Sequence, residues 1–375
     1  MRVTVQSAVL LASVLLSGCA WTPGASPVSH VSFRCRLPVG GYVAGSSNMK
    51  PKPDPSGFAA QKGAGGFVEF PTATYQPDAG SDRSYIASSK AWLPVPPQLV
   101  GPDQLSYVQS EASGGSSLPT TLYVVDVQTR TKRLVFTASD GEHVYPLDYS
   151  AAGVVVMLQD SSKDKRPPDS TMEVINPVTG SHEPVRGTEA GGKHMIPDSW
   201  FAVSGSAIWG WVTEGPNDGH SPASRKLIRV SLQDGTPVEW HRWSQGSESA
   251  SEQVLGFDAD DSPIVAIFPK AASGNSYPAP QLVLLKSPNK ALAIHTQGGT
   301  FRPQVGLSLS YQDRHGTWFA GVDGSIWLYT QSSDFMRVAV VPPRHSRPAV
   351  GYDFGARSPV DINRDAWRSI AGPCV

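Results

Sequence analysis

The sequence predicts an all-β chain: a β-propeller of four-stranded antiparallel blades, six of them, or seven if the C-terminal tail completes another. Three observations predict it. Short β-branched and aromatic runs recur between turn residues along most of the chain, which is the pattern of strands and hairpins. No stretch sustains the apolar period of 3.6 that an amphipathic helix requires. A strand–turn–strand unit repeats roughly every 50 residues, close to the length of a propeller blade. The punctuation agrees, with 36 glycines and 33 prolines and only 17% charged residues.

The N-terminus is a targeting segment. Arg2 precedes an apolar run from Ala8 to Leu16 that is too short to span a bilayer, which takes about 20 apolar residues. The run ends in Leu16-Ser17-Gly18-Cys19, so residues 1–18 read as a signal peptide. The small pair followed by cysteine resembles the lipobox of bacterial lipoproteins. That resemblance implies lipidation of the Cys19 thiol and cleavage that leaves Cys19 as the first residue. It also implies a chain anchored to the membrane by lipid, in the cell envelope and outside the cytoplasm. The alternative is an ordinary secretory signal with a chance cysteine. Residues 19–65 then form a tether and lead-in rich in Pro, Gly and Ser; "SSNMKPKPDPSG" (46–57) has almost nothing to bury.

Residues 66–375 carry the repeat. Its most legible copy lies near the end, where "VGLSLSY", "TWFAG", "SIWLYT" and "FMRVAVV" are four strands separated by turn residues. Strand pairs of the same form begin at Leu122, Met172, Leu227, Leu282 and Ile326. Each of the first four follows an earlier strand region: "QLSYVQS", "GVVVMLQD", "SAIWGWVT" and "VLGFDADDSPIVAIF". Insertions fall at one place in the unit, between its second and third strands: "EASGGSSLPT", "SSKDKRPPDS", "EGPNDGHSPAS" and "PKAASGNSYPAP". They would crowd one rim of a ring, and loops on a rigid scaffold are where binding residues concentrate. A weaker first copy is "GGFVEFPTATYQ" together with "SYIASSKAWLPV".

The pattern resembles bacterial extracytoplasmic β-propellers of the WD40-like and TolB-like kind. "GFDADDSPIVAI" and "DRHGTWFAGVDGSIWLYT" are similar to blades of the sensor propellers of two-component regulators. The Gly-His…Trp-Asp signature of true WD40 repeats is absent. The resemblance implies an architecture; propellers host enzymes, binders and scaffolds alike.

Of three cysteines, Cys35 and Cys374 remain after Cys19. They flank the repeat in a chain expected to be exported, where a disulfide can persist. A bridge would hold the first and last blades together, whose edges would otherwise expose unpaired strand groups. The alternative is two unpaired buried thiols.

Chemistry is harder to read. Thirty-one basic residues balance 32 acidic ones, which argues against a nucleic-acid groove. There is no Gly-x-Ser-x-Gly, no His-Glu-x-x-His, no P-loop and no Gly-x-Gly-x-x-Gly. Ser-x-x-Lys occurs at Ser47, Ser162 and Ser287, without the companion motifs of penicillin-recognising serine enzymes. "FDADD" (257–261) offers oxygen ligands but lacks the EF-hand glycine and distal glutamate, and reads as an Asp-capped hairpin turn. No metal site and no cofactor is expected. His143, His194, His241, His295 and His315 fall near strand ends without metal-ligand spacing. The ten tryptophans are the more suggestive set. Trp209 and Trp211 alternate on one strand and share a face with each other, and Trp243 ends another strand. Blade packing accounts for them as core; an exposed aromatic platform for a protein, peptide or glycan is the functional reading, because aromatics carry much of the energy of such contacts.

The function expected from these residues is a lipid-anchored extracytoplasmic binding or scaffold protein. Two alternatives stand beside it: an enzyme, a lyase or glycan hydrolase, with its site at the central mouth, and a sensor module. A cluster of titratable side chains at the mouth would favour the enzyme.

Overall fold

The structure is a computed structural model. It describes residues 28–41, 43–44, 58–59, 63–112, 118–160, 169–188, 199–214, 224–244, 249–269, 279–303, 310–330, 334–342 and 368–375. Among them the only helix is a three-residue 3₁₀ turn, Pro97–Leu99, and nearly everything else that is regular is strand.

The strands form meanders in chain order. One four-stranded sheet is built from Glu142–Ser150, Gly153–Asp160, Asp169–Ile175 and His182–Pro184, each antiparallel to the next. The next is Ser199–Ser204, Ala207–Glu214, Ser224–Ser231 and Pro237–Ser244. Counting the sheet that holds Cys35–Gly41 as the first and the sheet that begins at Ser106 as the second, the fifth meander runs Ser249–Phe257, Pro263–Pro269, Gln281–Ser287 and Lys290–Gln297. A sixth runs Ser310–Asp313, Gly316–Ala320, Ser325–Tyr329 and Asp334–Val340. The Asp and Asn residues at these turns do what their short side chains allow. The Asp126 carboxylate accepts the backbone N–H groups of Gln128 and Thr129, Asn176 those of Val178 and Thr179, and Asp323 that of Ser325. Gly316 turns the last meander at φ +137°, and a Cβ there would meet the Tyr329 carbonyl at 2.1 Å.

A strand covered on both faces needs apolar residues at successive positions, because alternate side chains leave by opposite faces. Val154, Val155 and Val156 are all fully buried for this reason. Val154 and Val156 pack toward the strands preceding their sheet, and Val155 packs with Ile208 and Val212 of the next. The relay continues around the molecule. Trp209 and Trp211 pack on Val265 and Leu285 of the fifth meander, whose Ile264 and Leu284 pack on Phe319 and Trp327 of the sixth. Trp318 and Leu328 of the sixth pack on Leu37, Val39 and Val68, near the other end of the chain.

That last contact closes the fold. Strand Arg368–Ile370 pairs antiparallel with Cys35–Gly41, which pairs with Gly66–Phe70, followed by Thr74–Pro77. Cys35–Gly41 and the C-terminal strand thus share one sheet, and Cys35 and Cys374 form a disulfide with their Cα atoms 5.5 Å apart. The pairing continues beyond the strand, with Arg36 N–H to the Val375 carbonyl at 2.7 Å and Val375 N–H back to Arg36 at 3.1 Å. Meander after meander packed face to face, with a shared closing sheet, is the β-propeller architecture.

Five details differ from the sequence expectation. Residues 35–41, read as lead-in, are a strand of the closing sheet, so the propeller begins before residue 66. "GGFVEFPTATYQ" and "SYIASSKAWLPV" do not make one blade; the first joins the closing sheet, while Ser84–Ile86 and Ala91–Leu93 form a separate hairpin. The C-terminal strand completes that closing sheet instead of starting another. The sheet of Ser106–Glu111, Thr121–Asp126 and Lys132–Thr137 has three strands, and its missing neighbour survives as a single bridge between Val100 and Tyr107. The reason lies in Pro94, Pro96, Pro97 and Pro102, each of which removes a ladder donor. The outer strands of the fifth and sixth meanders also pair, in parallel, from His295↔Asp334 to Gln297↔Met336, which fuses the two into one eight-stranded sheet.

Candidate functional site

In a meander, connections between first and second strands leave from one end and those between second and third strands from the other. The four inserted segments lie mostly outside the described residues. The first-to-second end is described in more detail, and two features concentrate there.

The first is a cleft where the ends of the ring meet. Its walls are hairpin residues Ser84 to Ile86, the proline-rich segment around Pro97 to Gln104, the tail residues Ala371 to Pro373, and Tyr311 of the sixth meander. Its volume is about 130 Å³, and no charged side chain lines it. Backbone bonds hold the walls: Tyr85 N–H to the Ala371 carbonyl at 2.7 Å and Gly101 N–H to the Ser106 carbonyl at 2.8 Å. The Ser84 hydroxyl is buried and has no hydrogen-bond partner. Burial, helped by the charge of Asp313, pushes the Tyr311 phenol up, so its hydroxyl keeps its proton.

The second is on Glu142–Ser150, the first strand of its sheet. A bulge between Pro146 and Asp148 leaves Leu147 without a partner in the ladder. Tyr145 stands opposite Met157 and Asp148 opposite Val155. Directly opposed residues share a face, so the bulge brings Tyr145 and Asp148 to the same face, the one packed toward the next sheet. Burial raises the Asp148 carboxyl to about 7, against a smaller opposing effect from hydrogen bonds with the Ser150 hydroxyl and the Tyr149 backbone. Burial also raises the Tyr145 phenol. Asp148 as a residue is only part-buried, so the carboxyl is enclosed by protein without being sealed from solvent. A group ionising near neutrality is suited to accept or donate a proton. First strands of the next two meanders carry bulges as well, at Trp200/Ala202 and Val254/Gly256.

The residues singled out by sequence have other fates. Trp209, Trp211 and Trp243 do not form an exposed platform; their exposures are 0%, 4% and 8%. They fill the space between two meanders, with Trp211 and Trp243 ring centroids 5.0 Å apart. The Trp209 indole N–H is satisfied by the Ser204 hydroxyl at 3.0 Å. The "FDADD" stretch is a turn: the Asp258 carboxylate accepts the backbone N–H of Asp260 at 2.9 Å and of Ser262 at 2.8 Å, and pairs with Lys286 at 3.0 Å. Among the described residues no group of three His, Cys, Asp or Glu is placed to hold a metal ion. His143, His241, His295 and His315 belong to four different meanders, and His315 stacks on Phe33 at 4.1 Å. His194 and the lipidation candidate Cys19 lie outside the described residues. Asp148 was missed by sequence reading. A signal for it exists, since proline inside a strand, as in "VYPLDY", marks a bulge or an edge.

No family model matches the chain, and no curated protein matches it. Several solved structures are similar in outline, among them two oligogalacturonate lyases. One is an oligogalacturonate lyase from Vibrio parahaemolyticus, 11% identical with a TM-score of 0.39, covering 66% of this chain and 65% of that one. The other is an oligogalacturonate lyase in complex with manganese, 12% identical with a TM-score of 0.44, covering 88% of each chain. Likenesses this distant assign neither substrate nor reaction to this chain.

Proposed function

We propose that the protein is a lipid-anchored propeller of six blades that works outside the cytoplasm, and that its chemistry is catalytic, of the lyase or glycan-hydrolase kind. The anchor and the location rest on Leu16-Ser17-Gly18-Cys19 after a short apolar run. The blade count rests on the closing sheet, the three-stranded sheet with its Val100 bridge, and the four meanders that follow. One observation carries the catalytic reading: a part-open carboxyl on a first strand, raised to about 7 by burial and sharing a face with Tyr145. Asp148 would act as the acid–base group. A base with a pKa near the working pH gives the best product of protonation state and driving force.

The experiment is turnover of a panel of neutral and uronate oligosaccharides, read both as new reducing ends and as unsaturated-product absorbance. Asp148→Asn should lower the rate roughly 100-fold or more, and the wild-type rate should rise or fall through an inflection near pH 7. Turnover unchanged by that substitution would remove Asp148 from the chemistry.

The second reading, a binding or scaffold protein, is favoured by the closure cleft. At about 130 Å³ it takes a small group and not a polymer segment.

A further inference from the structure

We propose that the closure cleft binds an uncharged polyol, up to the size of a single sugar ring, and that the bound ligand joins the two ends of the propeller. The proposal deepens the binding reading. It is independent of the catalytic one, because Asp148 does not line the cleft.

The polar groups on its walls are hydroxyls and an amide. Ser84 is 1% exposed and its oxygen has no partner, although a buried hydroxyl left unpaired costs free energy. A ligand hydroxyl reaching Ser84 would remove that cost, since serine both donates and accepts. Tyr311 and Tyr85 add phenols and Gln104 adds a carboxamide. The raised Tyr311 phenol remains a donor throughout the physiological range.

The rest of the wall decides the ligand's charge. Ile86, Pro97, Val100 and Pro373 are apolar, and no lysine, arginine, aspartate or glutamate lines the cleft. A carboxylate or ammonium placed there would lose its hydration without gaining a counter-ion. A neutral polyol presents hydroxyls to the four polar side chains and C–H faces to the apolar ones.

The walls also come from distant parts of the chain. The hairpin, the proline segment, the sixth meander and the tail beside Cys374 meet here. A ligand touching all four binds the closed ring and not the unfolded chain, so occupancy must raise the melting temperature.

The test uses the full chain and four probes at millimolar concentration: xylose, glucose, glycerol and glucuronate. Thermal shift and saturation-transfer NMR are the readouts. Expected is a saturable shift with at least one of xylose, glucose and glycerol, and none with glucuronate. Tyr311→Phe and Ser84→Ala, each checked for folding by circular dichroism, should weaken that binding roughly tenfold, the loss of about one hydrogen bond. The idea is overturned by no response to any probe, by an equal response to glucuronate and glucose, or by an undiminished response in both variants. That last result would indicate general exclusion of sugar from the protein surface. Failure of oligosaccharide turnover would remove the catalytic reading and leave this result standing.

Discussion

The backbone N–H of Cys374 donates to the Asp313 carboxylate, 2.8 Å away. Asp313 also accepts the N–H of His315 at 2.8 Å with its other oxygen, so one side chain caps a turn of the sixth meander and holds the chain's last residues beside it. The tail is therefore secured by a covalent bond to Cys35, by strand pairing with Arg36 and by this charge-assisted bond.

Breaking the disulfide should loosen the whole ring. The bridge closes a loop of 339 residues. Removing a native disulfide costs about 2–5 kcal/mol in small secreted domains. Cys35→Ser should fall in that range and lower the melting temperature, with Asp313→Ala adding about 1–3 kcal/mol as the charged partner of a backbone donor is lost. Differential scanning calorimetry of the single and double variants checks this. A Cys35→Ser variant melting with the wild type would mean that pairing alone closes the ring.

Trp209→Ala should act through the core. The side chain is fully buried against Trp240 and Phe257, with ring centroids at 5.2 and 5.5 Å. The expected loss is about 3–5 kcal/mol, the usual cost of removing a buried aromatic. Trp209→Phe should cost less, about 1–3 kcal/mol, because it chiefly leaves the Ser204 hydroxyl unpaired. Urea unfolding measures both, and a midpoint unmoved by Trp209→Ala would return this residue to the surface.

These tryptophans show what was legible in the sequence and what was not. Alternation placed Trp209 and Trp211 on one face, correctly. It could not say whether another sheet covers that face, because coverage depends on residues more than 50 positions away, such as Val265 and Leu285. The same limit hid the closing sheet. Cys35–Gly41 reads as lead-in because its partners, Gly66–Phe70 and Arg368–Ile370, lie one nearby and one at the far end of the chain. Repeats from Leu122 onward were legible since their hairpins are local. Asp148 was hidden for a third reason. Its raised pKa comes from enclosure by surrounding protein, and its face is set by a one-residue bulge that reverses simple alternation.

The proposed lipid anchor predicts a labelling pattern. With Cys19 following Leu16-Ser17-Gly18, wild-type protein made in a bacterial host should incorporate radiolabelled fatty acid and sediment with membranes. Cys19→Ala should lose the label. Equal labelling of both forms would show that Cys19 is not the acceptor.

Asp148 predicts a pH dependence of stability whose sign is unusual for a carboxylate. Its folded pKa, about 7, lies above the ordinary value of 3.8. Between these two values the folded state binds a proton that the unfolded state has released. Stability should therefore fall as pH rises from about 4 to about 7, and this contribution should level off above that. Holding one extra proton across one pH unit is worth about 1.4 kcal/mol, so this one group accounts for a decline on the order of a few kcal/mol. Asp148→Asn has no such proton to release. The variant should match the wild type near pH 4, lose this component of the decline, and be the more stable of the two at pH 8. Urea midpoints from pH 4 to pH 8 for the two proteins provide the comparison, and parallel curves over the whole range would show that Asp148 ionises as an ordinary surface carboxyl.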